Sequence, residues 1–159
     1  MLLSNEVNCL TADSPRAAPR LIGGAEVSTV LIVDDYPAVR TTLRSLLETE
    51  CSVVCIEAMN GLDAIAKAKI SRPDLIILDL CMPEMNGFEA ATVLHKAMPQ
   101  VPLFMFTFHG RREVEPKAAS VGICAVFSKY KDINALVAQA SELLGGPHRQ
   151  PIIFEESCE

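Results

Sequence analysis

The sequence predicts an α/β fold, a doubly wound parallel sheet of five strands with helices on both faces. Short apolar runs alternate with helix-period segments five times between residues 29 and 144. The runs are β-branched or wholly apolar, the pattern of strands buried on both sides rather than on one. Four of the five end on a residue with a reactive or charged side chain.

Thr29 to Val33 is the first such run and stops at Asp34-Asp35. Val39, Leu43, Leu46 and Leu47 follow at offsets 0, 4, 7 and 8, one face of a helix. Ser52 to Ile56 reads as the second strand, and Asn60-Gly61 opens a helix carrying Leu62, Ile65 and Ala66. Leu75 to Leu78 is continuously apolar, too short for a buried helix and suited to a central strand that ends at Asp79. Beyond the Pro83 loop, Phe88, Ala91, Leu94 and Met98 form another helical face. Leu103 to Phe106 is the fourth strand and ends at Thr107; a helix is expected around Lys117 to Ser120, with Pro116 near its first turn. Ala125 to Phe127 is the fifth strand and reaches Lys129. Asp132 is the expected N-cap of a last helix whose Ile133, Leu136, Val137, Ala140, Leu143 and Leu144 give the clearest helical period in the chain.

Residues 1–27 carry Asn, Ser, Pro, Arg and the Gly23-Gly24 pair without sustained periodicity, and are expected to be a flexible leader. Gly145-Gly146-Pro147 breaks the last helix, so 28–145 is expected as one folded domain and 146–159 as a short tail. Half of the 159 residues are hydrophobic and 21% charged, the balance of a globular chain. A net charge of -6 with scattered Lys and Arg argues against a nucleic-acid surface, which needs clustered cations. The six cysteines (Cys9, Cys51, Cys55, Cys81, Cys124, Cys158) show neither Cys-x-x-Cys nor zinc-type His spacing. They read as free thiols, which fits a reducing cytoplasm. The N-terminus is not expected to be a signal peptide, and no apolar run approaches the length of a membrane span.

Parallel strands bring their carboxyl ends to one edge, where open α/β sheets bind ligands. Asp34, Asp35, Asp79, Thr107 and Lys129 therefore meet there. Singly, each has an ordinary structural reading: a helix cap, a loop carboxylate, a strand-end hydroxyl, a surface charge. Together they make a chemical constellation. Three crowded carboxylates repel unless a cation joins them, and Mg2+ suits one or two carboxylates plus a phosphate. A carboxylate can act as a nucleophile toward phosphorus, and an ammonium and a hydroxyl can then hold the phosphoryl oxygens.

Val30 to Asp35, the stretch Asp79 to Gly87 (Asp-x-x-Met-Pro-x-x-Asn-Gly), Thr107 and Lys129 together resemble the receiver domain of two-component response regulators. The resemblance covers roughly residues 28–145 and implies the flavodoxin-like arrangement, strand order 2-1-3-4-5. It implies Asp79 as phosphoacceptor and a Mg2+ site made by Asp34, Asp35, Asp79 and the backbone carbonyl of Cys81. Thr107 and Lys129 would be the switch hydroxyl and the phosphate-pairing lysine. The implied donor is a sensor histidine kinase or histidine phosphotransfer protein; the chain is expected to be a single-domain regulator that signals through a downstream partner in the cytoplasm without an output domain of its own, and with no DNA or membrane contact. Such a domain promotes its own phosphorylation and dephosphorylation but works as a switch. A phosphorylation-independent binding module of the same shape is the alternative. A flavodoxin-like enzyme or flavin carrier is disfavoured, because Asp34-Asp35-Tyr36-Pro37 repels anions.

Three positions depart from the family pattern. Tyr130 replaces a proline that often follows the lysine across a cis bond, so a trans bond and a different placement of Lys129 are expected. Val126 stands where a switch aromatic is common, while Phe127 should point to the opposite face. His109, two residues after Thr107, is expected to obstruct the water that hydrolyses a phospho-aspartate; no second ligand lies near it in sequence, which argues against a metal role.

Overall fold

Residues 21–22 and 25–145 are described by the structure, a computed structural model. Strands β1 (Leu21–Ile22) and β2 (Ala25–Glu26) pair antiparallel within the segment expected to be a flexible leader. Residues 1–20 and 23–24 of that leader, with Cys9, and the tail 146–159, with Cys158, lie outside the described residues.

Strands β3 (Thr29–Val33), β4 (Val54–Ala58), β5 (Leu75–Leu78), β6 (Leu103–Thr107) and β7 (Ile123–Ser128) form one parallel sheet in the order β4-β3-β5-β6-β7. Counted within the sheet this is 2-1-3-4-5, the expected topology. Helices α1 (Pro37–Cys51), α2 (Gly61–Ser71), α3 (Gly87–Ala97), α4 (Arg111–Ser120) and α5 (Ile133–Leu144) alternate with the strands.

Side-chain alternation along the strands splits the core into two layers. Leu31, Val33, Ile76, Leu78, Met105 and Val126 face α2, α3 and α4, where Ala64, Ala68, Ala90, Ala91 and Ala118 present small surfaces. Val30, Ile32, Leu75, Ile77, Phe104, Phe106 and Phe127 face α1 and α5, where Leu43, Leu47, Leu136 and Val137 fill the gap. With a helix layer on each side, β3, β5 and β6 are buried at every position, which explains their unbroken apolar runs.

Two local expectations are corrected, the junction of α1 with β4 and the start of α4. The helix α1 continues through Cys51 and ends at Ser52 in a left-handed conformation (φ 52°), so β4 starts at Val54 rather than Ser52. On α2 the buried side chains against the sheet are Ala64 and Ala68, and Leu62 is 54% exposed. Helix α4 starts at Arg111, which leaves Pro116 inside it, where the missing N–H costs one helical hydrogen bond. Only Val114 and Ala118 of α4 are buried, so it is the helix held by the fewest core side chains. Asp132 is the N-cap residue of α5, as expected, although its carboxylate accepts from Ser128 N (2.9 Å) rather than from the first turn of the helix.

Cys51, Cys55 and Cys81 are free thiols. Cys124, on the edge strand β7, is disulfide-bonded, against the expectation for it. Among the described residues no helix is long and apolar enough to cross a membrane.

Candidate functional site

The acidic turn after β3 is fixed at almost every polar atom of Asp34. Its N–H donates to Ala58 O (3.1 Å), extending the β3–β4 ladder by one residue. Its carbonyl accepts from Arg40 Nη1 (2.7 Å), and its Oδ1 accepts from Tyr36 N (2.9 Å). Asp34 is 2% exposed, whereas Asp35 is only partly buried. One Asp35 oxygen, Oδ1, is nevertheless enclosed and has no hydrogen-bond partner.

Asp79 follows β5, held by its own N–H to Val33 O (2.8 Å). The chain then turns back on itself, and the loop sequence shows why those residues are needed. Glu84 takes a left-handed conformation (φ 69°) at the tip. Asn86 and Glu89 form a reciprocal capping box at the start of α3, with bonds of 3.0 and 2.9 Å. Gly87 donates to Leu80 O (2.8 Å), and a Cβ there would sit 2.3 Å from Asp79 O. Only glycine lets the helix start that close to the acceptor's backbone.

Thr107 closes β6 at 1% exposure. Its Oγ1 accepts from His109 N (3.2 Å) and lies 3.3 Å from His109 Nδ1. The neighbouring loop is tied on by Lys129 N donating to Thr107 O (2.9 Å). No cis peptide occurs among the described residues, so the bond to Tyr130 is trans, as expected. Lys129 still reaches the carboxylates: Nζ lies 2.5 Å from Asp34 Oδ2 and 3.2 Å from Asp79 Oδ2, with its side chain 3% exposed.

The fold thus gathers Asp34, Asp35, Asp79 and Lys129 at one sheet edge, with Thr107 at the end of the adjoining strand. Carboxylate oxygens of Asp34, Asp35 and Asp79 lie within 4.8 Å of one another. Burial first, and then the Asp34 charge, push the Asp79 carboxyl up to about 6 against the opposing pull of Lys129 and the Leu80 N–H. Three hard oxygen donors, one of them an enclosed Asp35 oxygen lacking a partner, are the donor set a divalent cation such as Mg2+ takes. Beside them a shallow cleft is lined by Asp35, Cys81, Met82, Pro83, Asn86 and Phe88.

Several neighbours escaped sequence reasoning. Cys81 Sγ lies 3.8 Å from both ring nitrogens of the exposed His109, although 28 residues separate them. Phe108 and Tyr130 pack with tilted rings, 4.8 Å between centroids, and Lys129 Nζ stands 5.1 Å from the Phe108 centroid. Arg40 and Glu57 brace the acidic turn from α1 and β4. Val126 and Phe127 point to opposite core layers, as expected.

Residues 30–141 match the family described as the response regulator receiver domain. A putative transcriptional regulator of Pseudomonas aeruginosa is 32% identical over 120 residues, 76% of this chain and 58% of the relative. The response regulator protein VraR of Staphylococcus aureus is 36% identical, over 70% of this chain and 56% of the relative. The chain therefore spans somewhat more than half the length of these curated relatives. Among solved structures, the Vibrio cholerae chemotaxis protein CheY4 superposes with a TM-score of 0.67 at 27% identity, covering 74% of this chain and 98% of that one. A LuxR-family two-component response regulator from Aurantimonas gives 0.70 at 26% identity, covering 75% and 86%. The chain belongs to the response regulator receiver domain family.

Proposed function

We propose that this chain is the phosphoacceptor of a two-component phosphorelay, taking a phosphoryl group onto Asp79 from a histidine kinase or a histidine phosphotransfer protein. The observation that carries the reading is the environment of Asp79: a buried carboxylate facing Asp34 and Asp35, with one lysine in reach. Asp34, Asp35, Asp79 and the backbone carbonyl of Cys81 hold Mg2+ in this reading. When bound, the ion offsets the negative charge that otherwise keeps a carboxylate and a phosphoryl group apart.

With its carboxyl at about 6, Asp79 is mostly ionised at neutral pH and able to act as a nucleophile. One of its oxygens bonds to phosphorus as the phosphorus–nitrogen bond of the donor phosphohistidine breaks. The imidazole keeps the electron pair and takes a proton. Lys129 Nζ, already between Asp34 and Asp79, exchanges part of that pairing for a phosphoryl oxygen. The Thr107 hydroxyl leaves His109 and donates to another phosphoryl oxygen.

Those two movements pull on the loops that carry α4 and α5. Because α4 is anchored by only Val114 and Ala118, it is the element a new phosphoryl charge shifts most readily. We assign the α4–β7 surface to a downstream partner protein and the cytoplasm as the compartment. A net charge of -6 supports protein contact over DNA contact for this chain.

The test is phosphoryl uptake from acetyl phosphate with Mg2+, followed by intact mass beside Asp79→Asn. The reading predicts one phosphoryl group on the parent and none on the variant. A folded, Mg2+-binding parent that gains nothing sinks it, in favour of a phosphorylation-independent binding module.

A further inference from the structure

Arg40 makes two bonds that an ordinary helix-surface arginine does not combine. Its Nε donates to Glu57 Oε2 (2.9 Å), an ion pair from α1 to β4 with side chains 14% and 26% exposed. Its Nη1 donates to the backbone carbonyl of Asp34 (2.7 Å). That carbonyl belongs to the peptide leading into Asp35, so its direction sets how the Asp35 backbone leaves β3. Glu57 is itself held from a second side by Arg44 Nη1 (2.8 Å). The chain of contacts runs from the edge strand, through a guanidinium fork, to the peptide between the two acidic residues.

Asp34 has other supports: Ala58 O, Tyr36 N and Lys129 Nζ. Asp35 has none of these, and its enclosed Oδ1 lacks any partner. Its aim therefore depends on the backbone entering it. We infer that Arg40, oriented by Glu57, is a positioning residue for the divalent-ion site, fixing the Asp34–Asp35 peptide so that the Asp35 carboxylate points at the ion. This rests on the Mg2+ reading above and adds to it a residue that touches neither ion nor phosphoryl group. Groups that orient metal ligands in this indirect way are commonly worth about 10–100-fold in metal affinity.

Charge alone predicts the opposite sign. Arg40 is a cation beside an acidic cluster, so removing it without any positioning effect would tighten Mg2+ binding. The experiment is calorimetric titration of the full chain with Mg2+, comparing the parent with Arg40→Met, Glu57→Gln and Arg44→Met. Arg44→Met is the control: it loses a bond to the same Glu57 and one to Cys55 O (2.5 Å) but none to the acidic turn. The expected result is about tenfold or more weakening for Arg40→Met, a smaller weakening for Glu57→Gln, and near-parent affinity for Arg44→Met. Phosphoryl uptake by Arg40→Met should recover the parent's maximal rate at saturating Mg2+, a split that general destabilisation does not produce. Unchanged or tighter binding in Arg40→Met, or in a folded Glu57→Gln if the former does not fold, overturns the inference while leaving the phosphoacceptor reading intact. A parent that binds no Mg2+ overturns both.

Discussion

The two sides of the pocket are built on opposite terms. On the inner side Asp34, Asp79 and Lys129 are nearly sealed from solvent, and Lys129 joins both carboxylates. On the outer side Cys81 and His109 are exposed, and Asp35 keeps an unpartnered oxygen. The inner side is a partly neutralised charge cluster that the fold must hold together. The outer side carries little of the fold's stability and is where an ion and a phosphoryl donor can enter. Stability and chemistry are thus divided between neighbouring residues, and substitutions should separate them.

The largest effect on stability is expected from Lys129→Met, which leaves two buried carboxylates without their cation. Removing one partner of such a cluster costs about 3–5 kcal/mol, read by denaturant unfolding without divalent ions. Added Mg2+ should restore part of that loss. A variant as stable as the parent would mean the inner cluster contributes nothing.

Asp79→Asn should act in the other direction. The folded protein binds the Asp79 proton more tightly than the unfolded chain, since the carboxyl rises from 3.8 to about 6. A raised acid destabilises the fold once ionised, so stability falls as pH rises from about 4 to about 6 and stays reduced above that. The asparagine variant should therefore be more stable than the metal-free parent by about 1–3 kcal/mol at pH 7.5, given roughly 1.4 kcal/mol per pK unit. The advantage should shrink as pH approaches 4, and with Mg2+, which binds the parent. Equal melting temperatures across that range would contradict a repulsive inner cluster.

On the outer side, Asp35→Asn should change metal-free stability by less than about 0.5 kcal/mol yet weaken Mg2+ binding in calorimetry. Loss of stability without loss of Mg2+ affinity would reverse the division. His109→Ala should have the smallest effect on stability. It uncovers Thr107 Oγ1 and opens the side of the pocket shared with Cys81. The phosphorylated form should then lose its phosphoryl group several-fold faster by intact mass, and no acceleration would remove His109 from the account.

Much of this was legible in advance because period and chemistry coincided. Each apolar run that ended on Asp, Thr or Lys was a parallel strand, and parallel strands deliver their ends to one place. The loop Asp79 to Gly87 was legible for a similar reason: its cap and its glycine are local requirements written in adjacent residues. What stayed hidden depends on separations that no local pattern encodes. Arg40 meets Glu57 across 17 residues, and His109 meets Cys81 across 28. Helix α4 was shortened in advance because proline reads as a first-turn residue, whereas here Pro116 lies inside the helix at the cost of one helical hydrogen bond.

The most direct test of the central claim is to locate the phosphoryl group after reaction with acetyl phosphate and Mg2+. Borohydride trapping of the acyl phosphate followed by peptide mapping should mark Asp79 alone. A mark on Asp34 or Asp35, or a phosphoryl group found on His109, would contradict the account: Asp79 would then not be the acceptor.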